Sequence, residues 1–306
     1  MKHEQLGPER SGQATWSPDG KTIAFIRYTD DDDILCVMNL QGEWQEISSR
    51  SMGAHYPPQG HHRNPAWLSN QTLCVIASSG DIAVINRDGT SYRVIEQKKT
   101  PSVDFLTVSP NKGWIAALTH TVHDHAKHVY TIALYSVDES PPRMLIEDNY
   151  LGSYQLAWSD DSELIAFESR RGIEVCTLDG SRRLVESRGS QPQFRPCHGN
   201  TLSYVLGLND GDQGLFAIPV SKKKQVSRLT GRLIRNYFWS PTGESLVYED
   251  YGRRKGMWLW DVNNGKERRL EDVFLVTGEH SVWSPDGTKL LFSGTHGKKM
   301  TLVSLD

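Results

Sequence analysis

The chain is predicted to fold as an all-β, seven-bladed propeller of four-stranded antiparallel blades, with an N-terminal strand closing the last blade. Three observations carry that prediction. A five-residue turn recurs, each copy opens a segment with the same strand order, and the two ends of the chain complement each other. The turn Trp16-Ser17-Pro18-Asp19-Gly20 returns letter for letter at Trp283-Ser284-Pro285-Asp286-Gly287. Worn copies stand at Trp158-Ser159-Asp160-Asp161-Ser162 and Trp239-Ser240-Pro241-Thr242-Gly243, and weaker ones at Trp67, Val108 and Phe194. The seven anchors fall at residues 16, 67, 108, 158, 194, 239 and 283. Similarity at a period of a few tens of residues marks a repeat array or propeller.

Within each repeat the anchor closes an inner strand, A. In the Ser-Pro-Asp-Gly turn, Pro presets φ for a type I turn and Gly accepts positive φ, so the chain doubles back. The B strands expected next are Thr22–Arg27, Thr72–Ala77, Trp114–Thr119, Leu164–Ser169, Thr201–Leu206, Ser245–Asp250 and Lys289–Gly294. The C strands follow at Ile34–Leu40, Asp81–Asn86, Val129–Val137, Gly172–Leu178, Leu215–Val220, Met257–Val262 and Met300–Leu305. Gly-containing turns such as Arg87-Asp88-Gly89 lead into short charged D strands, for example Tyr92–Glu96 and Arg182–Glu186. The seventh repeat ends after its C strand, whereas His3–Gly7 is a spare D-like segment ahead of the first. That segment should complete the seventh blade. All 306 residues would then form a single domain. The anchor tryptophans, with Trp44, Trp114, Trp258 and Trp260, are expected to pack between blades.

Composition excludes several classes. The formal net charge is -3, so no global charge draws the chain to nucleic acid or an anionic membrane. No apolar run is long enough for a transmembrane helix, and Met1 is followed by Lys-His-Glu-Gln rather than an apolar leader. The expected location is cytoplasmic, or periplasmic or secreted if a leader has been removed. Cys36, Cys74 and Cys176 fall in apolar strand patterns and read as small buried hydrophobes, with no disulfide expected.

These turns, over essentially the whole chain, resemble those of the TolB-like β-propellers, whose WD40-like repeats are marked by Trp-Ser-Pro-Asp-Gly. The resemblance implies the fold. For function it implies a choice, since such propellers serve as docking platforms, as enzyme appendages and, in distant relatives, as sugar lyases. No helical N-terminal domain like that of the periplasmic members is expected from this sequence, so their specific role is not expected to carry over.

In a four-stranded blade the D–A and B–C connections share one face. Nine of the eleven histidines sort onto it, in the connection 50–64, in the stretch Thr119–His128, and at His280 and His296. Imidazole is both a base near neutral pH and the commonest metal ligand. Three residues before the anchors stand Gln13, Asn64, Phe105, Gln155, Gln191, Asn236 and His280. Because strand A is innermost, these side chains should ring the channel mouth. Arg63 and Arg235 stand one place earlier. The candidate binding residues are therefore Gln13, Arg63, Asn64, Gln155, Gln191, Arg235, Asn236 and His280. Arginines on the later blades, among them Arg170, Arg171 and Arg188, would suit an anionic ligand. No motif specifies a cofactor. The ring of amides and imidazole could hold water, a sugar or a divalent metal ion, with His61, His123, His125 and His280 as candidate metal ligands. His280 is also the candidate catalytic base. Two functions fit. One is a binding or scaffolding module holding a protein, a peptide or a small anionic ligand at the channel mouth. The other is a lyase or hydrolase, metal-dependent or not, acting there on an anionic sugar or similar small substrate.

Overall fold

The computed structural model describes residues 1–30, 33–48, 65–76, 80–96, 102–123, 127–137, 141–151, 155–207, 213–221, 225–252, 254–271, 273, 282–293 and 299–305. Its strands, in chain order, are β1 (Lys2–Leu6), then β2 (Ser11–Trp16), β3 (Thr22–Tyr28), β4 (Asp33–Asn39) and β5 (Trp44–Ser48) of the first blade. The second blade holds β6 (Ala66–Trp67), β7 (Thr72–Ile76), β8 (Ile82–Asn86) and β9 (Tyr92–Glu96). The third holds β10 (Ser102–Val108), β11 (Trp114–His123), β12 (Lys127–Ser136) and β13 (Arg143–Asp148), and the fourth β14 (Ala157–Trp158), β15 (Leu164–Ser169), β16 (Gly172–Thr177) and β17 (Arg182–Glu186). The fifth holds β18 (Ser190–Phe194), β19 (Thr201–Leu206), β20 (Gly214–Pro219) and β21 (Ser227–Thr230). The sixth holds β22 (Ile234–Trp239), β23 (Ser245–Asp250), β24 (Gly256–Asp261) and β25 (Glu267–Leu270). The last two strands are β26 (Lys289–Phe292) and β27 (Met300–Ser304).

Six sheets are four-stranded with their strands in sequence order, and the seventh runs β1-β27-β26. The fold is a seven-bladed β-propeller. The N-terminal strand closes the seventh blade as expected, with His3 opposite Val303 and Leu6 opposite Met300. Among the described residues no helix is long and apolar enough to cross a membrane. The chain gathers into two compact units. One is Met1–Val108 with Val273–Asp306, and the other is Ser109–Asp272.

In the first unit, one core cluster joins Leu6, Trp16, Phe25, Met38, Leu291 and Met300. A second packs Ala24, Leu35 and Val37 of the first blade against Trp67, Leu73 and Val75 of the second. In the second unit, Phe194, Tyr204 and Phe216 pack against Ala166, Ile173 and Val175, and Trp239, Tyr237 and Tyr248 against Val205 and Leu215. Apolar residues from facing sheets interlock in every case, which is how a blade with two buried faces is stabilised. The anchors Trp16, Trp67, Trp158, Trp239 and Trp283 are all buried. Trp44 is not: it is 40% exposed on an outer strand, with the Arg27 guanidinium 5.4 Å from its ring centre. Position on strand D, facing water on its outer side, overrides its hydrophobicity. Cys36, Cys74 and Cys176 are buried free thiols, and burial pushes Cys36 and Cys176 up to about 12.

The recurring turn is closed by its own side chains. Ser17 Oγ donates to Asp19 Oδ1 at 2.6 Å and accepts from the Thr22 N–H at 2.9 Å. Asp19 also accepts the Lys21 N–H. The same set recurs at Ser159 with Asp161 and at Ser284 with Asp286. Gly20, Gly243 and Gly287 take positive φ at the fifth place of the turn. In the worn copies Lys112 and Ser162 adopt it too, at 63°, so the turn geometry outlasts the glycine that suits it. These hydrogen bonds hold the turn carboxyls below their usual range. Bonds from Ser284 and Thr288 take Asp286 to about 2. A depressed folded-state value stabilises above the ordinary carboxyl range and is lost as pH falls toward the folded value. Acid unfolding between about pH 4 and 2 should therefore be shallower in Asp286→Asn than in the parent, read by circular dichroism against pH.

The third blade departs from expectation. The stretch Thr119–His128 was expected as a loop, but β11 runs on to His123 and β12 begins at Lys127. Thr119, Thr121, Val122, Val129 and Tyr130 are β-branched or aromatic, and they sustain the ladder past the usual end of a blade strand.

Candidate functional site in the second unit

The inner strands carry a repeated irregularity. Register slips between Gly12 and Thr15, between Ser190 and Gln193, and between Ile234 and Tyr237. Each slip is a β-bulge, and each contains the residue three places before the anchor: Gln13, Gln191 and Asn236. A bulge turns a side chain away from the direction the regular pleat would give it. Gln13 and Gln191 also hold positive φ, 51° and 55°, a conformation costly for a residue with a Cβ.

In the second unit the bulges of the fifth and sixth blades join into one polar chain. The Gln191 backbone N–H donates to the Glu168 carboxylate. The Gln191 side-chain amide donates to the Arg235 carbonyl. Next in sequence, Asn236 Nδ2 donates to Glu249 Oε2 at 2.9 Å. Beneath them lies a buried support. Tyr237 Oη donates to the Gln191 carbonyl at 2.8 Å and meets Ser203 Oγ at 3.1 Å. Gln193 Nε2 donates to the Tyr237 carbonyl at 2.6 Å. The strained Gln191 is thus held from both its side chain and its carbonyl. Burial pushes the Glu168 carboxyl up, against the opposing pull of the Gln191 N–H. A half-buried carboxyl of this kind keeps its proton to higher pH than an exposed one.

Two aromatic–cation pairs bound this chain. The Arg170 guanidinium lies 5.8 Å from the ring centre of Tyr150, and that of Arg235 lies 5.8 Å from Tyr251. Arg170 stands two residues beyond Glu168, and Arg235 adjoins Asn236. Both tyrosines are exposed, at 39% and 59%.

Of the candidate residues, the structure links Gln191, Arg235 and Asn236. Gln155 is half-buried just ahead of β14, and Gln13 is half-buried in the first unit. Arg63, Asn64, His61, His125 and His280 lie outside the described residues, as does the side chain of His123. Among the described residues no three His, Cys, Asp or Glu side chains gather as a metal would require. Sequence reasoning missed Glu168 and Glu249, though a signal existed. The fifth residue of strand B is Ile26, Ile76, Leu118 or Val205 in four blades but Glu168 and Glu249 in the fourth and sixth. A carboxylate in a strand row otherwise apolar marks a polar contact.

Fold and rim together define a β-propeller with a bulged, hydrogen-bonding inner edge. No family model matches the chain, and no curated protein matches it in sequence. Solved structures share its fold. An oligogalacturonate lyase in complex with manganese superposes with a TM-score of 0.77 at 14% identity, covering 99% of this chain and 93% of that one. The β-propeller domain of Cps50 (Swd1) from Myceliophteria thermophila gives 0.68 at 14% identity, covering 100% and 99%. TolB from Acinetobacter baumannii gives 0.57 at 14% identity, covering 92% and 76%. At these identities the likeness is one of fold.

Proposed function

We propose that this protein is a binding propeller that holds an acidic protein segment on the rim of its fourth to sixth blades. The observation carrying the reading is the pair of exposed tyrosines, each under an arginine, at the two ends of the Glu168–Gln191–Asn236–Glu249 chain. Tyrosine and arginine are the residues most enriched where binding energy concentrates. Arg170 and Arg235 give this edge the charge to receive carboxylates, while Arg171 and Arg188 are held in ion pairs with Glu174 and Glu186. The Cps50 (Swd1) propeller and TolB share the fold, in keeping with a binding role.

A second reading has its own support. The raised Glu168 carboxyl beside an exposed arginine would serve a lyase or hydrolase acting on an anionic sugar, with Arg235 binding the sugar carboxylate and Glu168 holding a proton. The lyase likeness in fold accompanies it. In this reading the residues described here bind and protonate, and no step is assigned to a metal.

One experiment separates the two. Fluorescence anisotropy with Asp/Glu-rich peptides containing tyrosine should show salt-sensitive binding, weakened about tenfold or more by Arg170→Ala or Arg235→Ala, since each such anchor contributes roughly 1–2 kcal/mol. Absence of peptide binding, with release of unsaturated product from oligogalacturonate that Glu168→Gln abolishes, would replace the first reading by the second.

A further inference from the structure

The hairpin of β11 and β12 is ten residues long on each strand, against four to seven for the B and C strands of the other blades. Its outer neighbour β13 pairs with β12 only from Tyr130 onward. Three rings gather where the third strand ends and the two-stranded arm begins. His120 Nε2 and His128 Nδ1 stand 2.7 Å apart. The two imidazoles are parallel to within 5°, their centres 4.9 Å apart. Tyr130, paired across the strands with His120, stacks on that ring at 4.6 Å and 13°. The ladder fixes the two backbones, with Val122 opposite His128 and His120 opposite Tyr130.

We propose that His120 and His128 form a two-imidazole clip for a borderline transition-metal ion such as Zn2+. The two nitrogens face each other nearly in line from adjacent strands, at the close separation of a hydrogen bond in which one ring donates to the other. A metal ion takes the place of that shared proton. Zinc binds imidazole nitrogen at about 2.0–2.1 Å, and two such bonds at a tetrahedral angle need the nitrogens about 3.3 Å apart. Binding therefore requires the two imidazoles to turn and open that gap, a side-chain change that leaves the backbone pairing of the ladder in place. The tyrosine stack restrains the His120 ring, so little side-chain freedom remains to be lost on binding. His128 is exposed, and water can fill the other coordination positions. The nitrogen donors select Zn2+, Ni2+ or Cu2+ over Ca2+ and Mg2+, which take oxygen. The clip stands on the third blade and does not depend on the rim or on what the rim binds.

Isothermal titration of ZnCl2 into the full chain at pH 7.5 tests it. One equivalent is expected that His120→Ala and His128→Gln each weaken at least tenfold, while His198→Ala leaves it unchanged. MgCl2 should give no heat of binding at that site. The apo melting temperatures of both variants should stay close to the parent, because His128 is exposed, His120 is only half-buried and the ladder holds the backbone. Zinc should raise the melting temperature of the parent and of neither variant. Unaltered stoichiometry and affinity in both variants, or no zinc binding by the parent, would overturn the proposal.

Discussion

Trp239→Ala is expected to destabilise the protein by about 3–5 kcal/mol, the range for truncating a large buried aromatic. The ring is 7% exposed and packs in the cluster of Val205, Leu215, Tyr237, Leu246, Tyr248 and Trp260. Its Nε1–H donates to Ser203 Oγ at 2.9 Å, and the Arg195 guanidinium lies 4.8 Å from its ring centre. A companion pair of variants separates packing from hydrogen bonding. Trp158 is equally buried, but its Nε1 has no hydrogen-bond partner among the described residues. Trp158→Phe should therefore cost less than Trp239→Phe by about 1 kcal/mol, the net value of one hydrogen bond. Urea unfolding of the three variants measures both differences. An unchanged midpoint for Trp239→Ala would show that the ring does not support the core.

Deleting residues 1–8 should lower the melting temperature by about 5 °C. Leu6 is 5% exposed in the cluster with Phe25, Met38 and Met300, and its burial alone contributes roughly 2 kcal/mol. The ladder from Lys2–Ser304 to Leu6–Met300 adds to that. A loss of about 3 kcal/mol corresponds to several degrees in a chain of this size. The deletion also leaves β27 as an open edge, so concentration-dependent association should accompany the loss. An unchanged melting temperature would mean that β1 contributes nothing to closure.

The blade order, the closing strand and the buried anchors were legible because each repeats a local physical cause. A Ser-Pro-Asp-Gly turn dictates its own hairpin wherever it stands, and β15, β19 and β23 lie where alternation and turns put them. The extension of β11 and β12 was not legible: His120 and His128 are polar, and polar residues near a turn read as loop. Cross-strand pairing, a non-local effect, decided it. At the site, Gln191 and Asn236 could be picked out by their place before the anchor. Their bulges could not, because a register slip leaves no mark in residue type. Glu168 and Glu249 showed only when the B strands were aligned position by position.

The pairing of β1 with β27 also has a meaning in time. Leu6 and Met300 are neighbours across that ladder. A ribosome adding about 5–20 residues per second needs roughly 15–60 s to travel from one to the other. Throughout that interval the first strand has been made and its partner has not. Blades one to six can each form as their own strands emerge, whereas the seventh must wait until β27 has been made. β1 thus waits unmatched while the intervening chain is made, and that strand, Lys2-His3-Glu4-Gln5-Leu6, is polar at all but its last residue. A segment of that character stays dissolved while it waits, which an apolar strand in the same place would not.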